Sequence, residues 1–466
     1  MPSQTSPNSS SLTADLAGFL AGLNGSVDER LLTSATDRLV DTVASMVFGA
    51  EKPWSRMAID HAVSSGAIGR STIIGESDTG TTPTMAALAN GASAHAFELD
   101  DVHEEAINHP GAVVVPVALA LAEDLNRTGR DLLEAIVIGY EAMGRAGIAV
   151  GPAAHMLAGF HPTSMSGVFG AAAAAGRLLN FDEVKLNHAF GIASSLASGT
   201  MEFAASGGMT KRIHAGRAAE GGLTAALLAD RGFEGPADGL AGRYGFCRIF
   251  TDAPRVELLT HRLGERWMID EITVKPYAAC SDVHPMIQAA IELRREFAIQ
   301  PRDIDRIVLE APTKAATQND MDGTVSVMAA QYSAQFNVAA ALMADPSDPE
   351  TYQPERISDP EIAALQSKVV SIRPAAEFDA TYAWKMGGRV HIDLVDGTKL
   401  SRTVHGQKGS MHDPLSAHEL TTKFAHLTMG RSDPNLETLL SNVINAGALT
   451  DLTRALRRGG LGYAGR

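Results

Sequence analysis

Cysteine is nearly absent from this chain: there are two, Cys247 and Cys280, in 466 residues. That excludes a disulfide framework. It also argues against an iron–sulfur hydratase, whose cluster takes about three or four thiolates. Aromatic residues are scarce at 5%. No apolar run reaches the ~18 residues of a membrane span, so no membrane partner is expected. Basic residues are outnumbered 39 to 54, leaving a formal net charge of −15. A nucleic-acid binder would show a basic face, so no nucleic acid is expected as a partner. HExxH and CxxC patterns are missing, which argues against a zinc site, and so is the GxxxxGK[ST] phosphate loop. There is no Gly-x-Ser-x-Gly elbow for a serine nucleophile. Residues 1–11 are rich in Ser, Pro, Asn and Gln but lack the basic start and apolar stretch of a signal peptide. They read as a disordered tail, and a cytoplasmic location follows by default.

Hydrophobic residues make up 45% of the chain and glycine is plentiful, with 44 residues. This is enough for a sizeable core in roughly two or three domains. From residue 12 to about 267 the pattern is helix after helix. Leu31, Leu32, Ala35, Leu39, Val40, Val43, Ala44 and Val47 recur at helical spacing over Val27–Val47. Pro116–Ala122, Asp131–Met143, Gly167–Leu179 and Thr210–Ala229 are further helical stretches. Near Arg266 the pattern changes. Ile272–Lys275 and Ile304–Leu309 read as strands. Arg389–Leu394 and Lys399–Val404 alternate across Asp396-Gly397, a hairpin signal. Helices are expected at His284–Phe297 and Ser333–Leu342. The pattern predicts a smaller α+β domain over 268–405. Helix returns over 406–466, at Ser416–Leu427 and Asn435–Ala446. The expected class is mainly α with a smaller α+β domain.

Chemistry concentrates first in Phe97–Gly111. Glu98, Asp100, Asp101, Glu104 and Glu105 accompany His103 and His109 there, beside the apolar run Ala112–Pro116. Ionisable groups next to core sequence are costly to bury without partners, and such clusters often carry acid–base chemistry. A solvated helix end is the plain alternative. Gly159–Ser164 precedes a small-residue helix, so Thr163 or Ser164 is expected to cap it; the helix start also offers N–H groups to an anion. Ser206–Arg217 gathers Lys211, Arg212, His214 and Arg217 at a helix start, a placement unfavourable to the helix dipole. Anion binding explains it better than a solvent-facing turn. Val274–Pro285 places His284 at a helix start, and Gln331–Asn337 is a polar helix entry. Cys280 reads as a small buried apolar residue rather than a nucleophile.

Together and in this order, these segments resemble the MmgE/PrpD family over about residues 13–450. The matching motifs are ELDD…HPG, GFHPTS, GGMTKRIHAGRAA, KPYAAC…H, the Gln-Tyr-Ser…Phe stretch and GSMHDPLS. The resemblance implies a large all-helical domain built from both chain ends, with an inserted α+β lid and an active site in the cleft. It implies a homodimer and no metal or organic cofactor. Among catalytic residues it marks Asp101, His109, His161, Lys211 and His284. Glu98, Thr163, Arg212, Tyr277 and Gln331, in the same segments, are expected to bind substrate. Two positions depart from the family pattern: Glu98 stands where an Asp is common, and Phe336 where several members have Tyr.

The family's reactions share proton transfer at a carbon beside a carboxylate. Such a carbon is a poor acid, so its intermediate needs strong electrostatic support, here from Lys211. His109 or His161 is expected as base, Asp101 as the group that orients a histidine, and His284 as acid. The expected function is a lyase acting on a small di- or tricarboxylate, by cis-aconitate-type decarboxylation or 2-methylcitrate-type dehydration. Epimerisation of a dicarboxylate such as iminodisuccinate is the alternative, and a non-catalytic carboxylate-binding protein is another.

Overall fold

The computed structural model describes residues 11–76, 80–151, 158–206, 208–321, 326–382 and 384–458. The chain is mainly helical with a small sheet component. The expected tail lies outside the described residues apart from Ser11, whose hydroxyl caps the first helix by accepting from the Ala14 N–H. Contacts divide the chain into two units. One takes in the chain up to Ala96, Ala106–Glu271 and the part from Thr428 onward; the other takes in Phe97–Glu105 and Ile272–Leu427. The second unit therefore includes two stretches, Phe97–Glu105 and 406–427, that pattern alone assigns to the helical part. Among the described residues no helix is long and apolar enough to cross a membrane.

The first unit is built from helices whose starts are written locally. Asp28 caps Glu29–Ala50. Pro83 opens Pro83–Ala94, Pro162 opens Pro162–Leu178, and Thr128 with Asp131 forms a capping box before Gly129–Val150. Proline suits the first helical position because its missing N–H has no partner there anyway. The helix expected from Pro116 instead runs Gly111–Asp124, with Pro116 inside it. The proline removes one backbone hydrogen bond. Residues 111–122 are all buried, and their packing outweighs that loss.

Small residues let these helices approach closely. A Cβ on Gly216, in the helix Thr210–Asp230, would lie 2.2 Å from the Leu88 carbonyl oxygen. A Cβ on Gly91 would lie 2.8 Å from the Gly216 Cα. The glycine of the His-Ala-Gly-Arg segment is thus a backbone-contact position, and it brings the start of its helix against Pro83–Ala94.

The second unit holds two sheets. Strands β1 (Val102–His103) and β2 (Ile272–Thr273) pair antiparallel, Val102 opposite Thr273. Four longer strands, β3 (Ile304–Ala311), β4 (Val369–Pro374), β5 (Gly387–Leu394) and β6 (Lys399–His405), stand in the order β4-β3-β5-β6. The β5–β6 hairpin turns at Asp396-Gly397 as its sequence indicates, with Gly397 at φ 88°. Strand β4, parallel to β3, and the short β1 were not anticipated. The helix His284–Phe297 has the expected limits. Asn435–Ala446 is instead a short helix, Leu436–Ser441, followed by a 3-10 turn, Val443–Asn445.

Gly216→Ala should destabilise the protein by about 1–3 kcal/mol, because the obstructing atom is backbone and cannot rotate away. Denaturant midpoints of the two proteins measure this; equal midpoints would mean that the helices have room to spare.

Candidate active site

In the helical unit four imidazoles are buried side by side. His95 ends the helix Pro83–Ala94, and His109 precedes Gly111–Asp124. His161 is the residue before the helix Pro162–Leu178, and His214 lies in the first turns of Thr210–Asp230. Ring centroids are 5.0 Å apart for His95–His109, 5.8 Å for His95–His161 and 5.0 Å for His161–His214. The Nδ1 atoms of His161 and His214 are 3.0 Å apart. Phe203 packs edge-on against both rings.

Cations share this site. Lys211 is 3% exposed and Arg212 4%, so the basic helix start is not a solvent-facing turn. The Arg212 guanidinium stacks 5.1 Å over the Trp54 ring. Arg217 is exposed and pairs with Glu220. Burial, then the positive character of His95, His214, Lys211 and His109, holds the His161 imidazole well below its ordinary pKa. Burial and Lys211 push His214 down to about 4. Both rings are therefore neutral at pH 7.

Thr163 does not cap its helix. Among the described contacts no side chain caps that helix start. The Thr163 hydroxyl instead accepts from the His109 backbone N–H at 3.2 Å. Neighbouring Asn108 donates to the Met143 carbonyl at 3.2 Å and to Ser166 Oγ at 2.9 Å. Two residues from the small-residue helix thus fix the segment that carries His109.

The second unit gathers Asp101, Glu98, Tyr277, Gln331 and His284. Glu98 adopts a left-handed conformation, φ 57°, which costs a non-glycine residue free energy and needs support from its surroundings. That support is on three sides. Gln331 Nε2 donates to the Phe97 carbonyl at 2.8 Å, and Lys423 Nζ to the Leu99 carbonyl at 2.8 Å. Lys275 Nζ reaches Glu98 at 3.3 Å and Asp100 at 3.9 Å. Lys275 and Asp101 are both fully buried. Burial alone would lower the Lys275 pKa; Glu98 and Asp100 reverse that and hold it charged.

Glu104 is buried and accepts from Thr273 Oγ1 and Gln407 Nε2, each at 2.5 Å. Burial pushes its pKa up to about 7. His284 is fully buried. Its Nε2 lies 3.2 Å from the Ala279 carbonyl oxygen, which can only accept, so Nε2 carries the proton. Its Nδ1 is buried without a hydrogen-bond partner among the described residues. Burial, then Lys275, lowers its pKa to about 3. The acid role expected of His284 therefore does not suit its protonation state: Nδ1 presents a lone pair, fit to accept a proton or hydrogen bond. Tyr277 packs edge-on against it at 5.2 Å, its phenol raised by burial. Phe336 is core, 6.0 Å from the Tyr352 ring. Both cysteines are free thiols, pushed up by burial to about 12 for Cys247 and 11 for Cys280, which leaves neither a nucleophile at neutral pH.

Sequence reasoning missed His95, Lys275, Lys423 and the partnership of His214. His95 lies two residues before the acidic stretch, and Lys275 opens KPYAAC. Proximity to those motifs was the available signal. Lys423 carries none.

The helical unit holds a buried histidine and lysine cluster, and the second unit holds a buried lysine–carboxylate turn. The chain belongs to the MmgE/PrpD family: residues 14–259 match its N-terminal domain and residues 277–443 its C-terminal domain. Cis-aconitate decarboxylase of Homo sapiens is 30% identical, covering 95% of this chain and 93% of that protein. Cis-aconitate decarboxylase of Aspergillus terreus is 28% identical over 96% of this chain and 95% of that protein. A cis-aconitate decarboxylase-like protein of Aspergillus oryzae is 28% identical over 96% of each chain.

The buried groups make opposite contributions to stability against pH. His214 and His284 titrate lower when folded, so below pH ~6.5 the unfolded chain binds more protons and acid destabilises the fold. Glu104 titrates higher when folded. Its contribution is present below the ordinary carboxyl pKa of 4.5 and is lost as pH rises through about 7. Glu104→Gln keeps an acceptor for Thr273 and Gln407 but cannot ionise. Between pH 5 and 8.5 the melting temperature of E104Q should therefore fall less than that of the parent. Parallel curves would show that Glu104 ionises freely in the folded protein.

Proposed function

We propose that this protein is a lyase that decarboxylates a cis-aconitate-type tricarboxylate. The observation that carries the reading is the near full-length match to decarboxylases of that name, joined to a buried imidazole cluster in which His161 and His214 are neutral and stand near Lys211. In the reaction the alkene CH carbon, which bears one carboxylate, gains a proton. The bond between the methylene carbon and its own carboxylate breaks, CO₂ leaves, and the freed electron pair forms a new terminal alkene. One proton is consumed per CO₂.

Lys211 and Arg212 hold substrate carboxylates and stabilise the charge that builds up as the bond breaks. His161 is the proton donor. Burial first, and then the positive character around it, keeps it neutral, and a bound trianion opposes both. Opposite charge within a few ångströms favours the protonated imidazole. Substrate binding thus charges the acid that the reaction needs. His109, held by Thr163, orients the substrate or serves as the base that partners His161. The family resemblance adds Asp101 and His284, with Glu98, Tyr277 and Gln331 in binding roles, and a cytoplasmic homodimer.

Purified protein should release CO₂ from cis-aconitate. Lys211→Ala and His161→Asn should each lower kcat/KM by about 10²–10³-fold with little change in melting temperature. Turnover that survives both substitutions would rule this mechanism out. Binding of the unreactive propane-1,2,3-tricarboxylate at pH 7 should take up protons, so its calorimetric heat should depend on the ionisation enthalpy of the buffer, and its affinity should rise as pH falls toward 5.5. Heat that is independent of buffer would remove the charging step.

A further inference from the structure

A buried cation that is to meet a carboxylate has to be held in place. Arg212 is 4% exposed and stands in the first turn of Thr210–Asp230, where the helix dipole disfavours positive charge. Its guanidinium lies 5.1 Å over the Trp54 ring, inside the ~6 Å reach of a cation–π contact. Trp54 is the second residue of the helix Pro53–Ser64. Its indole has another hold, because Nε1–H donates to the Ala96 carbonyl at 3.0 Å. Ala96 follows His95, which ends the helix Pro83–Ala94. One side chain thus touches the residue after Lys211 and the residue after His95, and all of these belong to the helical unit. The indole joins two helices of the histidine and lysine cluster from a third.

We propose that Trp54 is a positioning residue that sets the Arg212 guanidinium for a substrate carboxylate, a role that rests on the carboxylate binding assigned to Arg212 above. The choice of side chain follows from charge. An indole face attracts a cation through its quadrupole and leaves the charge of that cation in place. A carboxylate at the same position would neutralise Arg212 and compete with an anionic substrate. The hydrogen bond to Ala96 fixes the plane of the ring, and with it the place where the guanidinium rests. Placement matters because a guanidinium grips a carboxylate through two parallel N–H groups, a geometry with little tolerance. Trp54 acts through Arg212, and the anchor at Ala96 sets that cation relative to the segment that carries His95.

A cycle of substitutions, read by calorimetric binding of propane-1,2,3-tricarboxylate, tests this without turnover. Trp54→Leu should raise Kd about tenfold. Trp54→Phe keeps an aromatic face but loses the N–H, and should raise Kd by less. In an Arg212→Gln background Trp54→Leu should change Kd less than about twofold, because the group it positions is gone. Equal costs in both backgrounds would show that Trp54 acts by packing alone and would overturn the proposal, as would an unchanged Kd in W54L. Should W54L fail to fold, W54F takes its place in the cycle. Indole emission is a second readout. The chain has three tryptophans; Trp267 packs against Phe19 and Trp384 against His412. Binding of the tricarboxylate and Arg212→Gln should each shift the emission of the parent, and W54F should lose both shifts; shifts of full size in W54F would overturn the role. A parent that binds with this coupling yet releases no CO₂ from cis-aconitate removes the decarboxylase reading and keeps the positioning role. A parent that releases CO₂ without the coupling does the reverse, and one that binds no tricarboxylate overturns the role.

Discussion

Crowding of positive character is the constraint on which the helical unit turns. Four imidazoles and a lysine lie in one buried region, where burial and then neighbouring positive character lower the pKa values of His161 and His214. In the proposed reaction a small polyanion supplies the missing counter-charge and favours the protonated form of the imidazole it meets.

The second unit solves the opposite problem. Its acidic turn carries more carboxylate than burial tolerates. Lys275 neutralises Glu98 and Asp100, and Thr273 and Gln407 solvate Glu104. The left-handed Glu98 is held by donors from residues 331 and 423 to the carbonyls on either side of it. Backbone strain supported from several directions marks a turn whose shape matters more than its cost. The carboxylates are retained in spite of burial, and the polar contacts around them are the means.

Close helix packing and the chemistry share residues. Gly216 lies two positions after His214, and its backbone contact with Leu88 fixes where the helix bearing Lys211, Arg212 and His214 stands against the helix that ends at His95. Thr163 acts similarly, spending its hydroxyl on the backbone of His109 rather than on its own helix. Small substitutions at such positions would move imidazoles relative to one another without touching them.

Much of this was legible from the chain alone. Apolar residues at helical spacing located several of the longer helices, Asp396-Gly397 located a hairpin, and the joint order of short motifs pointed to the family. Those signals are local, carried by neighbours within a few residues. Strand β4 left no such signal, because its burial comes from a parallel partner at β3, and Lys423 left none because its acceptor is 324 positions away. Protonation was likewise undetermined. The sequence marked His284 as an acid and His109 or His161 as the base. The carbonyl of Ala279 decided the tautomer of the first, and a ring 53 residues away, His214, faces His161. Chain pattern determines which side chains are present and which local element bears them; only tertiary packing decides which are desolvated and which nitrogen faces which, and those two quantities set the pKa values from which the chemistry follows.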